Sequence, residues 1–280
     1  MSEIQGPALE DETGIGALTL AGFVTERAQK HADREALRWT DLAGETRSWT
    51  YAQMHEESLR VARALLAAGA GKGTRVGLLV SNRPEWIFGM FGSAMAGAVS
   101  VALSTFSTRQ ELEYQLHQAD VEVLIMEAKV ASNDFDRDIF ELCPALSAAT
   151  PGQLLADKLP FLRRVVCLDK DQCRPGLQDW DEFLAGAEQI PAAIARATAD
   201  CSSPVDLGLI FFSSGSTAQP KAIQQTHRAA TLQCWRFGRW YETDSSVRTW
   251  SANGFFWSGN FAMAFGSTLS VGGCLCLLYT

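Results

Sequence analysis

Ser213, Ser214, Ser216 and Thr217 surround a single glycine, Gly215, and Pro220-Lys221 follow closely. Directly upstream, Leu207 to Phe212 reads LGLIFF, an apolar run of strand type. A strand that opens into a hydroxyl-rich loop with one lysine has the parts to wrap a polyphosphate. Backbone N–H groups and hydroxyls donate to the oxygens, glycine permits close approach, and the ammonium of Lys221 offsets charge. Composition alone fits an ordinary Ser/Gly surface loop equally well. The order of the residues separates the two readings.

Three other stretches invite a chemical reading. Ala68 to Thr74, AGAGKGT, looks like part of a kinase-type phosphate loop. Such a loop follows a strand and opens a helix. Here a helical pattern precedes and a strand pattern follows, so Lys72 is set aside. Gly254-Phe-Phe-Trp-Ser-Gly259 concentrates aromatic residues, which pack cores more often than they line pockets. His227 follows Thr226 at a helix start, not far beyond the hydroxyl-rich stretch, and a functional histidine and a capped surface one explain it equally well. Glu85 and Asp206 lack a partner spacing for acid–base work, and no Ser–His–Asp or metal-ligand cluster stands out.

The stretch Phe212 to Ile223, FSSGSTAQPKAI, resembles the phosphate-binding signature T-S-G-[ST]-T-G-x-P-K-G of the adenylate-forming superfamily. That group holds acyl- and aryl-CoA synthetases, luciferases and peptide-synthetase adenylation domains. Ser214, Gly215, Ser216, Thr217, Pro220 and Lys221 match, and Ser213 replaces a threonine. Ala218 and Ala222 stand where glycines are usual, and an alanine at positive φ would be strained by roughly 1 kcal/mol. The GSTAxPK form looks most like the CoA synthetases. Further similarity runs through Trp49-Thr50-Tyr51-Ala52-Gln53-Met54, Gly73 to Leu78, Asn82-Arg83-Pro84-Glu85-Trp86 and Ala96-Gly97-Ala98-Val99. It covers roughly Leu18 to the C-terminus.

The resemblance implies an α/β fold of mostly parallel sheets covered by helices on both faces, the N-terminal part of the large domain of an adenylate-forming enzyme. It implies activation of a small carboxylic acid by ATP and Mg2+, with coenzyme A then taking the acyl group. On that reading Ser213, Ser214, Gly215, Ser216, Thr217 and Lys221 bind the nucleotide phosphates. Lys221 is the candidate catalytic residue and Thr217 lies near the metal. Phe256, Trp257 and Gly259 border the acyl pocket, with Trp257 where the family often has a histidine or another aromatic. The acidic magnesium ligand, the adenine and ribose contacts and a smaller domain with a catalytic lysine come later in the family. The expected organisation is therefore a flexible tail over residues 1–16, an incomplete AMP-binding domain over 17–280 and no C-terminal domain. Such a piece is expected to be inactive alone and to expose the uncharged surface after Thr249. A non-catalytic nucleotide- or acyl-binding remnant of the same fold is the alternative.

The elements that must position these residues are legible in periodicity. Leu18 to His31 has helical spacing with Thr19 as a cap, and Ala36 to Trp39 and Thr46 to Trp49 form strands around a turn at 41–44. Thr50 opens a long amphipathic helix, Tyr51 to Ala68. Val76 to Val80, Ala98 to Leu103 and Val121 to Met126 are strands, alternating with helices from Pro84 and over Arg109 to Gln118. That alternation implies a mostly parallel sheet. The pattern weakens between Ala131 and Cys201, with a strand at Leu162 to Leu168 and helices at Asp179 to Ala187 and Ala192 to Ala199. A helix runs from His227 to Trp240, and Leu269 to Tyr279 reads as a final strand or strand pair.

At 280 residues, 47% hydrophobic and 20% charged, the chain has the composition of a globular enzyme. A net charge of −8 without a basic cluster argues against a nucleic-acid partner. Seven cysteines, an odd number with no metal-ligand spacing, suggest reduced thiols in the cytoplasm. Trp86 to Thr108 and Thr249 to Thr280 carry no charge, yet their glycines, serines and asparagines favour interior helices and strands over a transmembrane segment.

Overall fold

The computed structural model describes residues 8–172, 174–213 and 219–278. The Thr19 hydroxyl accepts from the Gly22 amide and starts α1 (Leu20–His31). A hairpin follows, β1 (Glu35–Thr40) and β2 (Thr46–Thr50), turned by Asp41, whose carboxylate accepts from the amides of Ala43 and Glu45. Thr50 caps α2 (Tyr51–Ala67) in a complete capping box, because Gln53 returns its side chain to the Thr50 amide. Gln53 thus supplies the side-chain acceptor that a glutamate can also supply at this position of a capping box.

The parallel core comes next: β3 (Arg75–Leu79), α3 (Pro84–Met95), β4 (Val99–Ala102), α4 (Arg109–Gln118) and β5 (Val123–Met126). Pro84 sits in the first turn of α3, where its missing N–H costs nothing. The weakly patterned region holds a short hairpin, β6 (Lys129–Val130) and β7 (Asn133–Asp134), then α5 (Phe135–Leu142), β8 (Arg164–Cys167), β9 (Gln178–Asp179), α6 (Trp180–Ala185) and α7 (Ala192–Asp200). β10 (Leu207–Phe212) and β11 (Ala222–Thr226) form an antiparallel hairpin, and α8 (His227–Trp240) starts at the Thr226 cap.

β12 (Arg248–Thr249), α9 (Ser258–Asn260), a π-helical stretch Phe261–Gly266, α10 (Ser267–Ser270) and β13 (Cys274–Leu278) complete the order. The apolar run from Leu269 is therefore not one strand or a strand pair. Its first residues close a helix, Gly272-Gly273 turn the chain, and only Cys274–Leu278 is extended; Tyr279 lies outside the described residues.

Seven strands form one sheet in the order β11-β10-β4-β3-β5-β8-β9, parallel except for the β10–β11 edge. Alternate residues feed two cores. Val123 and Ile125 join α2 and α3 on one face, while Leu124 and Met126 join α4 and α5 on the other. A second sheet, β12-β13-β1-β2, pairs β13 in parallel with both β1 and β12. Among the described residues no helix is long and apolar enough to cross a membrane. The helical part of the first uncharged stretch, Trp86 to Met95 of α3, is instead buried throughout.

Candidate functional site

The hydroxyl-rich stretch is the connection of the β10–β11 hairpin. At its base the Ser213 amide donates to the Lys221 carbonyl (3.0 Å), and the Lys221 amide donates to the Ser213 hydroxyl (3.4 Å). Ser214, Gly215, Ser216, Thr217 and Ala218 lie outside the described residues. Ala222 opens β11 opposite Phe212 and has an ordinary negative φ, so alanine replaces the customary glycine there without strain. Lys221 is exposed, and among the described residues no carboxylate pairs with its ammonium.

A cavity of about 210 Å³ adjoins this base, lined by Ser213 and Pro220 from the hairpin and by Phe256 and Trp257 from the aromatic segment. Its other walls are Phe212 and residues of the segment between β4 and α4 and of α4 itself, among them Ser104, Phe106, Ser107 and Gln115. Phe256 is buried, whereas Trp257 is 51% exposed. Gly259, placed with them from the sequence, is exposed on α9 and does not line the cavity. A second cavity of about 130 Å³ shares Phe106 and Phe256 and extends to Ser81, Asn82 and Asn133. The rings of Phe106 and Phe256 meet edge to face, centroids 5.8 Å apart, at the boundary of the two.

Both cavities lie beyond the carboxyl ends of β3, β4, β5 and β10. The chain leaves β3 to one side for β4 and then crosses to the other for β5, so strand order reverses here. Open α/β sheets bind ligands at such a reversal. Sequence alone does not single out Phe106, Ser107 or Gln115; the position of residues 103–108 just past a parallel strand is the signal that marks Phe106 and Ser107, while Gln115 reaches the cavity from α4. Gln115 and Ser107 are buried and satisfy each other at 3.2 Å.

Beside the second cavity a charged cluster ties three strand ends together. Arg83, at the N-terminus of α3, pairs with Glu85 (2.7 Å), Glu127 (3.2 Å) and Asp169 (3.5 Å). Glu127 is fully buried and also accepts from the Ser81 amide at 2.6 Å. Burial holds its carboxyl above the usual carboxylate range, against the pull of Arg83. Burial alone would lower Arg83, but its three acidic neighbours outweigh this and raise it. Among the described residues no group of three or more His, Cys, Asp and Glu could hold a metal.

His227 is not a surface histidine. It is 2% exposed, and its Nδ1 accepts from the Leu20 amide at 3.4 Å. Gly208 makes the room, since a β-carbon there would lie 2.6 Å from that nitrogen. Burial lowers its pKa, with Asp206 opposing. The register pairs Leu207 with Thr226 and Phe212 with Ala222. His227 therefore stands at the opposite end of the hairpin from Ser213, about 20 Å away at strand spacing. Lys72 is at that end too, bonded to Asp206 at 2.9 Å, between a helix and a strand in the order that excludes a kinase-type loop.

The sequence profile of the AMP-binding enzymes matches residues 24–279. The chain belongs to the AMP-binding enzyme family. It is 30% identical over 231 residues to the mitochondrial medium-chain acyl-CoA ligase ACSF2 of Rattus norvegicus, across 81% of this chain and 36% of that protein. It is 28% identical over 229 residues to the acyl-CoA ligase SID4 of Ajellomyces capsulatus, with the same shares. The chain thus spans about a third of the length of the curated relatives it matches. Its fold is that of an anthranilate CoA ligase, AuaEII, solved with anthranoyl-AMP: TM-score 0.77, 22% identity, 98% of this chain and 47% of that one. The N-terminal domain of FACL13 from Mycobacterium tuberculosis gives a TM-score of 0.69 at 19% identity, over 94% of this chain and 57% of that one. Both curated relatives are named as acyl-CoA ligases.

Proposed function

We propose that this chain supplies the phosphate-gripping and acid-side parts of an acyl-CoA synthetase. One observation carries the reading: the base of the hydroxyl-rich hairpin and the aromatic segment, far apart in sequence, wall the same cavity. In the reaction, a carboxylate oxygen bonds to the α-phosphorus of ATP and the bond to the β-phosphate bridging oxygen breaks, releasing pyrophosphate. The sulfur of coenzyme A then bonds to the acyl carbon, the thiol proton leaves, and AMP departs. Such transfers need in-line positioning and neutralisation of spreading negative charge more than covalent help.

Ser213 and Lys221, with Ser214, Gly215, Ser216 and Thr217, hold the β- and γ-phosphates in this proposal. The ammonium of Lys221, exposed and with no carboxylate paired to it among the described residues, suits that role. Magnesium would add charge neutralisation next to Thr217. Phe256 and Trp257 face the acid, and Gly259 drops out of the wall. The cytoplasmic location drawn from the cysteine count belongs to the same proposal; the rat relative is named mitochondrial.

Titration calorimetry with Mg-ATP tests the nucleotide half. Lys221→Ala should weaken binding roughly tenfold to a hundredfold, the worth of one charge-assisted contact set, while Lys72→Ala should leave it unchanged. Equal affinities for wild type and Lys221→Ala would overturn the assignment. ATP–pyrophosphate exchange with a panel of carboxylates, run on this chain and on any longer product of its gene, separates a ligase from a non-catalytic binder.

A further inference from the structure

We propose that Asn82 is a positioning residue that fixes the aromatic segment as a wall of the acid-side cavity. This rests on the ligase reading above and names a part that reading does not use. Asn82 lies just past the carboxyl end of β3 and spends its whole amide on one segment. Its Nδ2 donates to the Asn253 carbonyl (2.8 Å) and reaches the Ser251 carbonyl (3.4 Å), and its Oδ1 accepts from the Phe255 amide (2.9 Å). Asn260 adds a second donor to the Asn253 carbonyl at 2.6 Å.

Between these bonds the segment has little freedom to place its rings otherwise. Phe255 is anchored at the rear, with ring centroids 5.0 Å from Trp86 and 5.6 Å from Phe265. Phe256 folds back over Gly254 so closely that a β-carbon there would lie 2.1 Å from its ring. That fold turns the Phe256 ring onto Phe106 and sets Trp257 beside it. The clamp therefore acts through the backbone of residues 251–255 on two side chains that Asn82 does not itself hold. Only an amide serves: a carboxylate keeps the acceptor for Phe255 but loses the donors and repels the carbonyls, and an alanine loses both.

The test uses Asn82→Ala and Asn82→Asp in this chain, with octanoate and benzoate as acid probes and Mg-ATP as the nucleotide probe. Amide hydrogen exchange reads the clamp without any ligand. Phe255 should exchange faster in Asn82→Ala and stay protected in Asn82→Asp. Acid affinity should fall about tenfold in Asn82→Ala, the worth of one to two hydrogen bonds, with Mg-ATP affinity within about twofold of wild type. A merely structural role would weaken both ligands together or neither, and either result overturns the proposal. Unchanged Phe255 exchange in Asn82→Ala overturns it independently of any ligand. If the wild-type chain binds Mg-ATP but neither acid, the acid-side reading fails and this inference falls with it. Normal acid binding by both variants overturns the inference and leaves the ligase reading standing.

Discussion

Replacing Arg83 by methionine removes the one cation from a cluster that holds three carboxylates at the ends of β3, β5 and β8. At 3.2 Å and an effective dielectric near 20, the Arg83–Glu127 attraction alone is about 5 kcal/mol. Desolvation cancels much of this in the intact cluster, so the pair's net worth is small. Its loss is another matter. Glu85 and Asp169 keep some access to water, but Glu127 is fully enclosed and would have to stay ionised without a counter-cation or take up a proton. Breaking a buried pair from one side costs about 3–5 kcal/mol.

The pH dependence follows in sign. The Glu127 carboxyl already sits above its ordinary value, and without Arg83 it rises further. The folded variant then holds a proton that the unfolded chain releases, so the variant gains stability as pH falls from 7 towards the ordinary glutamate range. The slope is at most about 1.4 kcal/mol per pH unit. Urea unfolding at pH 7 and pH 5.5 measures both effects. Arg83→Met/Glu127→Gln should recover most of the loss, because the orphaned charge is gone. A single variant within about 1 kcal/mol of wild type at pH 7, or a double variant no better than the single, would refute the electrostatic account.

Two further outcomes are expected. Gly208→Ala drives a methyl group onto the buried His227 ring, where the nearest atoms lie 2.6–3.1 Å from the new carbon. It should cost about 1–3 kcal/mol in urea unfolding, and Gly208→Ala/His227→Ala should win part of it back by vacating the space. The second outcome concerns acid. His31, His55 and His227 are all lowered by burial, first among their causes, so the unfolded chain binds more protons than the folded one below about pH 6.5. Stability should be fully present above that value and fall as pH drops through the lowered histidine values. Melting temperatures that hold level from pH 7.5 to pH 5.5 would contradict it.

Local rules carried much of the fold. Thr19, Thr50, Thr108 and Thr226 each cap a helix with a side-chain bond to a backbone amide, and short side-chain rules of that kind are visible in any sequence. Continuous apolar runs such as Val123–Met126 signalled strands buried on both faces. The run from Leu269 misled because helix and strand burial look alike when every residue is apolar, and the break lay in the glycine pair. His227 misled for a different reason: its burial depends on Gly208, a neighbour only once the hairpin pairs. Of the site, the loop chemistry and the aromatic segment could be read from residue order. Gln115, Asn82 and the Arg83 cluster could not, since their significance lies in strand ends that converge only in three dimensions.

The smaller sheet joins strands from opposite ends of this stretch of chain. β1 pairs with β13, Leu37 beside Leu275, and the Tyr51 hydroxyl donates to the Gly273 carbonyl at 2.7 Å. The larger sheet, by contrast, needs nothing beyond Thr226. During synthesis the seven strands can assemble while the β1–β2 hairpin still waits, its open edge unpaired, for more than two hundred residues to emerge. Closing so long a span is slow, and that waiting edge is where a nascent molecule is most exposed to wrong partners.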